Sequence, residues 1–383
     1  MCGDDSLNDI QAMLRDSLAK VLERHYEFEA RQSFRRAAPG YSTDAWDAYA
    51  ELGLLSLGVA EADGGAGGDL SDLALICGQM GAALTLEPFI PTVVFGGRLI
   101  AAAGTEEQKA RWLAPVMAGE TKVALAHGER GGRYGALAIQ ASARREGDGF
   151  VLSGEKRVAE GADAADLLVV SALTEDADGQ ERLALFLVAA DAVGVARRGY
   201  RAFDGQGAAD IVFNDVRLSA EALLGDRVDG RAALEQALDE ATTLQCADAV
   251  GAMRAANALT QEYARVRKQF GITIGSFQAL QHRMVDMAVA EEMAAAITGA
   301  AVSAVEEPEA PKTTRARAVS AAKVRVGESA RLIGQQAVQL HGGMGLTEEY
   351  PAAHFFARLG LFERRWGDAD HHLNRFSALM DAV

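Results

Sequence analysis

The chain has 383 residues, 49% of them hydrophobic and 24% charged, which is an ordinary globular balance and length enough for two or three domains. A formal net charge of −16 lacks the basic footprint that non-specific nucleic-acid binding requires, and aromatics at only 6% beside abundant alanine favour closely packed helices. Three widely spaced cysteines, Cys2, Cys77 and Cys246, form no metal-ligand spacing and no disulfide framework, so no metal site is expected and a reducing cytoplasm fits best.

In chain order, Met1-Cys2-Gly3-Asp4-Asp5 is acidic and has no apolar core, so no signal peptide is expected. Leu7, Ile10, Met13, Leu14, Leu18, Val21 and Leu22 recur at helical spacing, and residues 6 to 118 read as helices. Gly64-Gly65-Ala66-Gly67-Gly68 is a loop; without a preceding strand and a following Lys-Ser/Thr it is no phosphate loop. Thr105 with Gln108 forms a capping box for a helix through Trp112. The pattern changes near Thr121. Val123 to Leu125, the alternating run Ala138 to Arg144, Phe150 to Leu152, Leu167 to Val170, Leu183 to Val188 and Ile211 to Phe213 read as short strands. Gly147-Asp148-Gly149 is a hairpin signal within them. After Leu224-Gly225 three long helices are predicted, Ala232 to Val266, Ala279 to Glu306 and Thr313 to Leu340, the last two separated by Glu306-Glu307-Pro308-Glu309-Ala310-Pro311. Shorter helices follow Pro351 and cover Asp370 to Met380. No uncharged apolar run reaches the length of a membrane span, so none is expected.

Helices, strands and helices follow one another without alternating, which disfavours a doubly wound sheet. The expected fold is α+β: an N-terminal helical domain (1–118), a middle β-barrel or sandwich domain (119–224) and a C-terminal four-helix bundle (225–383).

The richest segment interrupts the first pair of bundle helices: Arg267-Lys268-Gln269-Phe270-Gly271, continuing to Gln278. One guanidinium with convergent amides suits a diphosphate or a carboxylate. A second glycine turn, Gln339-Leu340-His341-Gly342-Gly343-Met344-Gly345, follows the third long helix. Together with Gly104 to Lys109 and Leu113-Ala114-Pro115, Gly154-Glu155-Lys156, and Asp210 to Val216, these turns resemble, in order and at family spacing, the motifs of the acyl-CoA dehydrogenases. The resemblance covers nearly the whole chain. It implies the three-domain architecture and FAD as cofactor. It implies that Arg267, Gln269, Phe270 and Gln278 contact the diphosphate and adenine side across a subunit interface, completed by Gln339, Gly342 and Gly343 of a neighbouring subunit. It further implies an acyl-CoA substrate, electron transfer to an electron-transfer flavoprotein, a homotetramer or an α2β2 heterotetramer with a related subunit, and a cytoplasmic location.

On the flavin-ring side the sequence departs from the family pattern. Where "T-E-P-x-x-G-S-D" is usual, Ala126-His127-Gly128-Glu129-Arg130-Gly131-Gly132-Arg133-Tyr134 stands. Glu129 is kept, Gly128 replaces the threonine, and Tyr134 falls near the serine. Backbone groups of Leu125, His127 and Gly128 are the expected partners of the ring edge. The family's "K-x-W" becomes Lys156-Arg157-Val158, without the stacking tryptophan.

The reaction implied by the resemblance, α,β-dehydrogenation of an acyl-CoA thioester, needs a carboxylate near the α-carbon. Sixteen residues after Tyr350, where the usual glutamate falls, stands Trp366, which has no proton-accepting role. The alternative position, twenty-six residues before Arg267, is Ala241. Glu240 is its neighbour, rotated about 100° around the helix, and is the candidate base. Two readings stay open: a catalytic acyl-CoA dehydrogenase using Glu240, or a non-catalytic subunit completing the FAD site of a paired chain. The Trp366-Gly367-Asp368 ending resembles the small-subunit group acting on dicarboxylyl-CoA such as pimeloyl-CoA, and also subunits of heterotetrameric dehydrogenases of steroid side chains.

Overall fold

The computed structural model describes residues 7–135, 138–176, 178–226, 228–307 and 311–380. Cys2 with the acidic N-terminal stretch, and residues 308–310 of the proline loop, lie outside the described residues. Contacts divide the chain into two compact units, one formed by Met1–Ala30, Leu70–Thr85 and Thr242–Val383, the other by Arg31–Asp69 and Leu86–Ala241.

The N-terminal helices are α1 (Asp9–His25), α2 (Phe28–Arg36), α3 (Thr43–Glu51), α4 (Leu70–Ala83), α5 (Phe89–Pro91), a π turn over Thr92–Arg98, α6 (Leu99–Ala103) and α7 (Glu106–Met117). α1 and α7 each start with a complete capping box, built on Asn8 with Gln11 and on Thr105 with Gln108.

The β segment is one seven-stranded sheet in the order β1-β4-β2-β3-β7-β6, with β5 also on β4. Its strands are β1 (Val123–Ala126), β2 (Ser142–Glu146), β3 (Gly149–Glu160), β4 (Leu167–Glu175), β5 (Glu181–Ala189), β6 (Val195–Arg201) and β7 (Gly207–Leu218). The hairpin read at Gly147-Asp148 joins β2 to β3, with Glu146 opposite Gly149. β6 carries no strand signal in the sequence. Its residues VARRGYR are mostly exposed at the sheet edge, so neither alternation nor an apolar run marks it. Apolar side chains including Phe150, Leu168, Phe186, Ile211 and Phe213 form the core of this segment. The β3–β7 ladder slips twice, between Leu152 and Gly154 and between Lys156 and Ala159. At the second slip Val158 adopts φ 52°, a left-handed conformation costly for a β-branched side chain, and it is 62% exposed.

The remaining helices are α8 (Arg231–Val266), α9 (Gln278–Glu306), α10 (Lys312–His341), α11 (Pro351–Phe362) and α12 (Ala369–Met380); α8, α9, α10 and α12 lie within two residues of their predicted bounds. Within the first unit, their small side chains let helices approach closely. A Cβ on Gly251 of α8 would come within 1.7 Å of the Gly78 carbonyl oxygen of α4, and one on Gly81 within 1.9 Å of the Asp248 carbonyl oxygen. The core here is Cys246, Val250, Met253, Met287, Val326, Ile333, Phe355 and Phe362 with many alanines. A buried bidentate pair, Arg358 to Asp248 at 2.9 and 2.7 Å, ties α11 to α8. Among the described residues one helix, α9, is long and apolar enough to cross a membrane by length and composition. It also supplies Met287, Ala290, Ala294 and Ala295 to the bundle core.

Candidate active site

Between α8 and α9 the chain makes a short antiparallel hairpin, β8 (Lys268–Gln269) with β9 (Ile272–Thr273), Gln269 pairing with Ile272. Its two-residue loop, Phe270-Gly271, has φ of 55° and 84°, as a type I′ turn requires. Glycine suits that conformation and phenylalanine does not. Phe270 nonetheless stands at the tip, 91% exposed, its ring centroid 6.2 Å from that of Phe277 in an edge-on arrangement. Arg267, at the base of the hairpin, is exposed. Glu262, its nearest carboxylate in sequence, pairs with Arg265 at 3.6 Å instead. Among the described residues the Arg267 guanidinium has no carboxylate partner. Gln269 turns its amide onto the Lys268 carbonyl at 2.9 Å, and Gln278 is the exposed first residue of α9.

The second glycine turn closes α10. Gly342 takes φ 60°, and a Cβ on Gly342 or Gly343 would meet nothing within 4 Å, so backbone is presented openly there. Gln339, one turn earlier, is exposed. His341 faces inward and is a packing residue. Its Nδ1 lies 2.7 Å from the Ala337 carbonyl, and its ring lies 4.5 Å from Tyr263 and 5.1 Å from Tyr350. Tyr263 also accepts the Arg267 N–H on its carbonyl, so the aromatic trio joins the hairpin base to the glycine turn. A guanidinium without a carboxylate partner among the described residues, exposed amides and open glycine backbone fit a diphosphate.

Near the C-terminus Trp366 and Gly367 form a left-handed turn, with φ of 47° and 122°. Lys323, buried on α10, donates to the carbonyls of Phe362 and Gly367, both at 2.8 Å, and sits 4.2 Å over the Phe362 ring. His372 Nε2 lies 3.1 Å from the Trp366 carbonyl. Burial first, then the nearby Lys323 and His371, push the His372 pKa down to about 3. The ring is therefore neutral, and Nε2–H can donate to that carbonyl. The turn that carries Trp366 is thus held by hydrogen bonds from Lys323 and His372.

In the other unit, the segment after β1 is fixed by a buried charged cluster. Lys156 is fully buried and its Nζ reaches Glu129 Oε1 at 2.7 Å. Glu129 also accepts the N–H groups of Gln140 at 2.6 Å and Ala141 at 3.0 Å. Burial alone would raise the Glu129 carboxyl, but the Lys156 hydrogen bond and charge, with the two backbone donors, hold it below the usual range. The Arg157 N–H donates to the Gly128 carbonyl at 2.7 Å, pinning the turn to the bulge of β3. Leu125 is buried on β1, while His127, Gly128 and Tyr134 are half-buried.

Glu240 lies on the first turns of α8 and is 4% exposed. Arg98, the last residue of the π turn, donates from Nε to Glu240 Oε2 at 2.7 Å and from Nη1 to the Gly58 carbonyl at 3.0 Å. Gln236 Nε2 donates to Oε1 at 3.2 Å. Both carboxylate oxygens are therefore engaged. No sequence signal pointed to Arg98, because its partner is distant in the chain and only the fold brings them together.

Three family models match in order: the acyl-CoA dehydrogenase N-terminal domain over residues 8–120, the middle domain over 124–216 and the C-terminal domain over 229–375. The acyl-CoA dehydrogenase FadE12 of Mycobacterium tuberculosis is 31% identical over 319 residues, covering 82% of this chain and 81% of its own. The probable acyl-CoA dehydrogenase YngJ of Bacillus subtilis is 31% identical over 350 residues, 89% of each chain. Among solved structures, butyryl-CoA dehydrogenase from Megasphaera elsdenii superposes with a TM-score of 0.88 at 25% identity, over 99% of this chain and 100% of the other. The Tcur3481-Tcur3483 steroid ACAD superposes at 0.87 with 28% identity, over 98% of each chain. The chain belongs to the acyl-CoA dehydrogenase family, whose members are FAD-dependent oxidoreductases.

Proposed function

We propose that this chain is a subunit of an enzyme catalysing FAD-dependent α,β-dehydrogenation of an acyl-CoA thioester. The unpaired Arg267 guanidinium beside an exposed left-handed Phe270 is the observation that carries the reading. Arg267, Gln269, Phe270 and Gln278 would hold the FAD diphosphate and adenine side, with Gln339, Gly342 and Gly343 of a neighbouring subunit completing the site. Leu125, His127, Gly128 and Tyr134 would border the ring. FAD, when bound, would supply the two-electron oxidant for loss of hydride from the β-carbon. The protein's own part is to bind the thioester, exclude water and remove the α-proton. In this reading Glu240 receives that proton, its carboxylate held by Arg98 at 2.7 Å.

A second reading has a specific observation in its favour. Ala241 and Trp366 occupy the two usual base positions, and Glu240 is engaged through both oxygens. The chain would then complete the FAD site of a related, catalytically competent subunit in an α2β2 tetramer. The likeness to the Tcur3481-Tcur3483 steroid ACAD supports this reading, and steroid side-chain, dicarboxylyl and simple fatty acyl-CoA thioesters are its candidate substrates. An electron-transfer flavoprotein is the proposed acceptor, and the cytoplasm the proposed location. The test is anaerobic addition of these three thioester classes to the protein purified alone and to the protein co-expressed with the product of a neighbouring gene. Flavin bleaching by the lone chain supports the first reading. Bleaching only in a mixed tetramer supports the second. A folded, assembled protein that takes up no FAD in either setting defeats both.

A further inference from the structure

The Lys156 cluster has a feature that the proposed function leaves unused. An ammonium has three N–H donors, and Lys156 places them on Glu129 Oε1, Ser171 Oγ at 3.1 Å and the His127 carbonyl at 3.2 Å. Ser171 is fully buried, and its Oγ also lies 2.8 Å from His127 Nδ1. A lysine ammonium cannot accept, so Ser171 is the acceptor in the first contact. Its own O–H is then available for Nδ1. The opposite polarity would load two donors onto one oxygen and strand a buried hydroxyl proton. The chain therefore runs Lys156 to Ser171 to His127 Nδ1, each bond polarising the next. Nδ1 is the acceptor, so the imidazole proton sits on Nε2. Burial, then the charge of Lys156, push the His127 pKa down to about 4, so the ring stays neutral at pH 7. Among the described residues Nε2 has no hydrogen-bond partner.

We propose that His127 is a cofactor-positioning residue: fixed as its Nε2–H tautomer by the chain from Lys156 through Ser171, it donates from Nε2 to a carbonyl oxygen of the flavin pyrimidine ring. This rests on the reading that Leu125, His127, Gly128 and Tyr134 border the ring. It assigns a side-chain contact where backbone groups alone are expected. A donor at that carbonyl stabilises the negative charge that gathers on the ring as it is reduced, and so raises the flavin potential. Lys156 and Ser171 act through His127 and are positioning residues at one remove.

The test uses the assembled, FAD-loaded protein. Nitrogen-15 NMR of the histidines should show Nε2–H at His127 in the parent, and Ser171→Ala should erase that tautomer preference. His127→Leu should weaken FAD binding by about tenfold, the scale of one hydrogen bond to a fixed acceptor. It should also lower the flavin potential, and His127→Gln, which keeps an N–H donor, should recover most of both. Arg267→Ala is the control for the underlying reading. If Arg267→Ala weakens FAD binding while His127→Leu changes neither affinity nor potential, the role of His127 is overturned and the cofactor reading stands. If neither variant changes FAD binding, the reading falls and the inference with it. An Nδ1–H signature in the parent also overturns the proposal.

Discussion

Glu240 shows how far a single side chain depends on neighbours that are remote in sequence. On the helix it is one carboxylate among several; in the fold it is enclosed and paired to Arg98. Replacing Arg98 with leucine strands that carboxylate, and unfolding free energy should fall by about 3 kcal/mol in denaturant titrations. Glu240→Gln is expected to abolish acyl-CoA-dependent bleaching if this chain carries the base; full bleaching in that variant removes Glu240 from the mechanism. His127 and His372 make a separate, pH-dependent contribution. Their folded pKa values, about 4 and about 3, lie below the unfolded value near 6.5. As pH falls below 6.5 the unfolded chain binds protons that the native state does not, so stability declines on acidification down to the folded values. Each histidine contributes a slope of up to about 1.4 kcal/mol per pH unit. Denaturant midpoints at pH 7 and pH 5 check this, and His372→Asn should make the dependence shallower.

At the level of elements, the hairpin between α8 and α9 trades local strain for presentation. Phe270 holds a conformation that asparagine would adopt readily. Phe270→Asn should leave stability unchanged or raise it by up to about 1 kcal/mol, since an L side chain pays roughly that in the left-handed region. The same variant should retain less FAD through gel filtration. Retained flavin with unchanged absorbance would show that Phe270 is not a cofactor contact. The crossing of α4 and α8 makes the opposite use of local chemistry. Gly251→Ala would drive a methyl group into the Gly78 carbonyl, and a loss of about 2 kcal/mol or more is expected from thermal or urea unfolding.

For the whole molecule, the pertinent question is what the chain assembles with. The exposed Phe270 tip and the open glycines 342 and 343, proposed to hold the cofactor, stand uncovered on a single chain. Native mass measurement after co-expression should give a tetramer. A tetramer of one mass supports the homomeric enzyme and one of two masses the mixed assembly, whereas a monomer retaining FAD would contradict a shared site.

By itself the sequence determined the succession of helical and strand segments and the family. Periodicities of 3.6 and 2, the capping box at Thr105 and the hairpin glycine at 147 are local codes, written within a few residues of where they act. The two glycine turns were legible for the same reason: left-handed backbone, at Gly271 and Gly342, favours glycine, and that need is local. Strand β6 was not legible, because an edge strand with exposed arginines satisfies no burial pattern. The pairing of Glu240, the enclosure of Lys156 and the tautomer of His127 were decided only by tertiary structure. Arg98 is 142 residues from Glu240, and Ser171 is 44 from His127. Protonation and pairing are set by distance in space and by burial, neither of which is written in the spacing of residues along the chain.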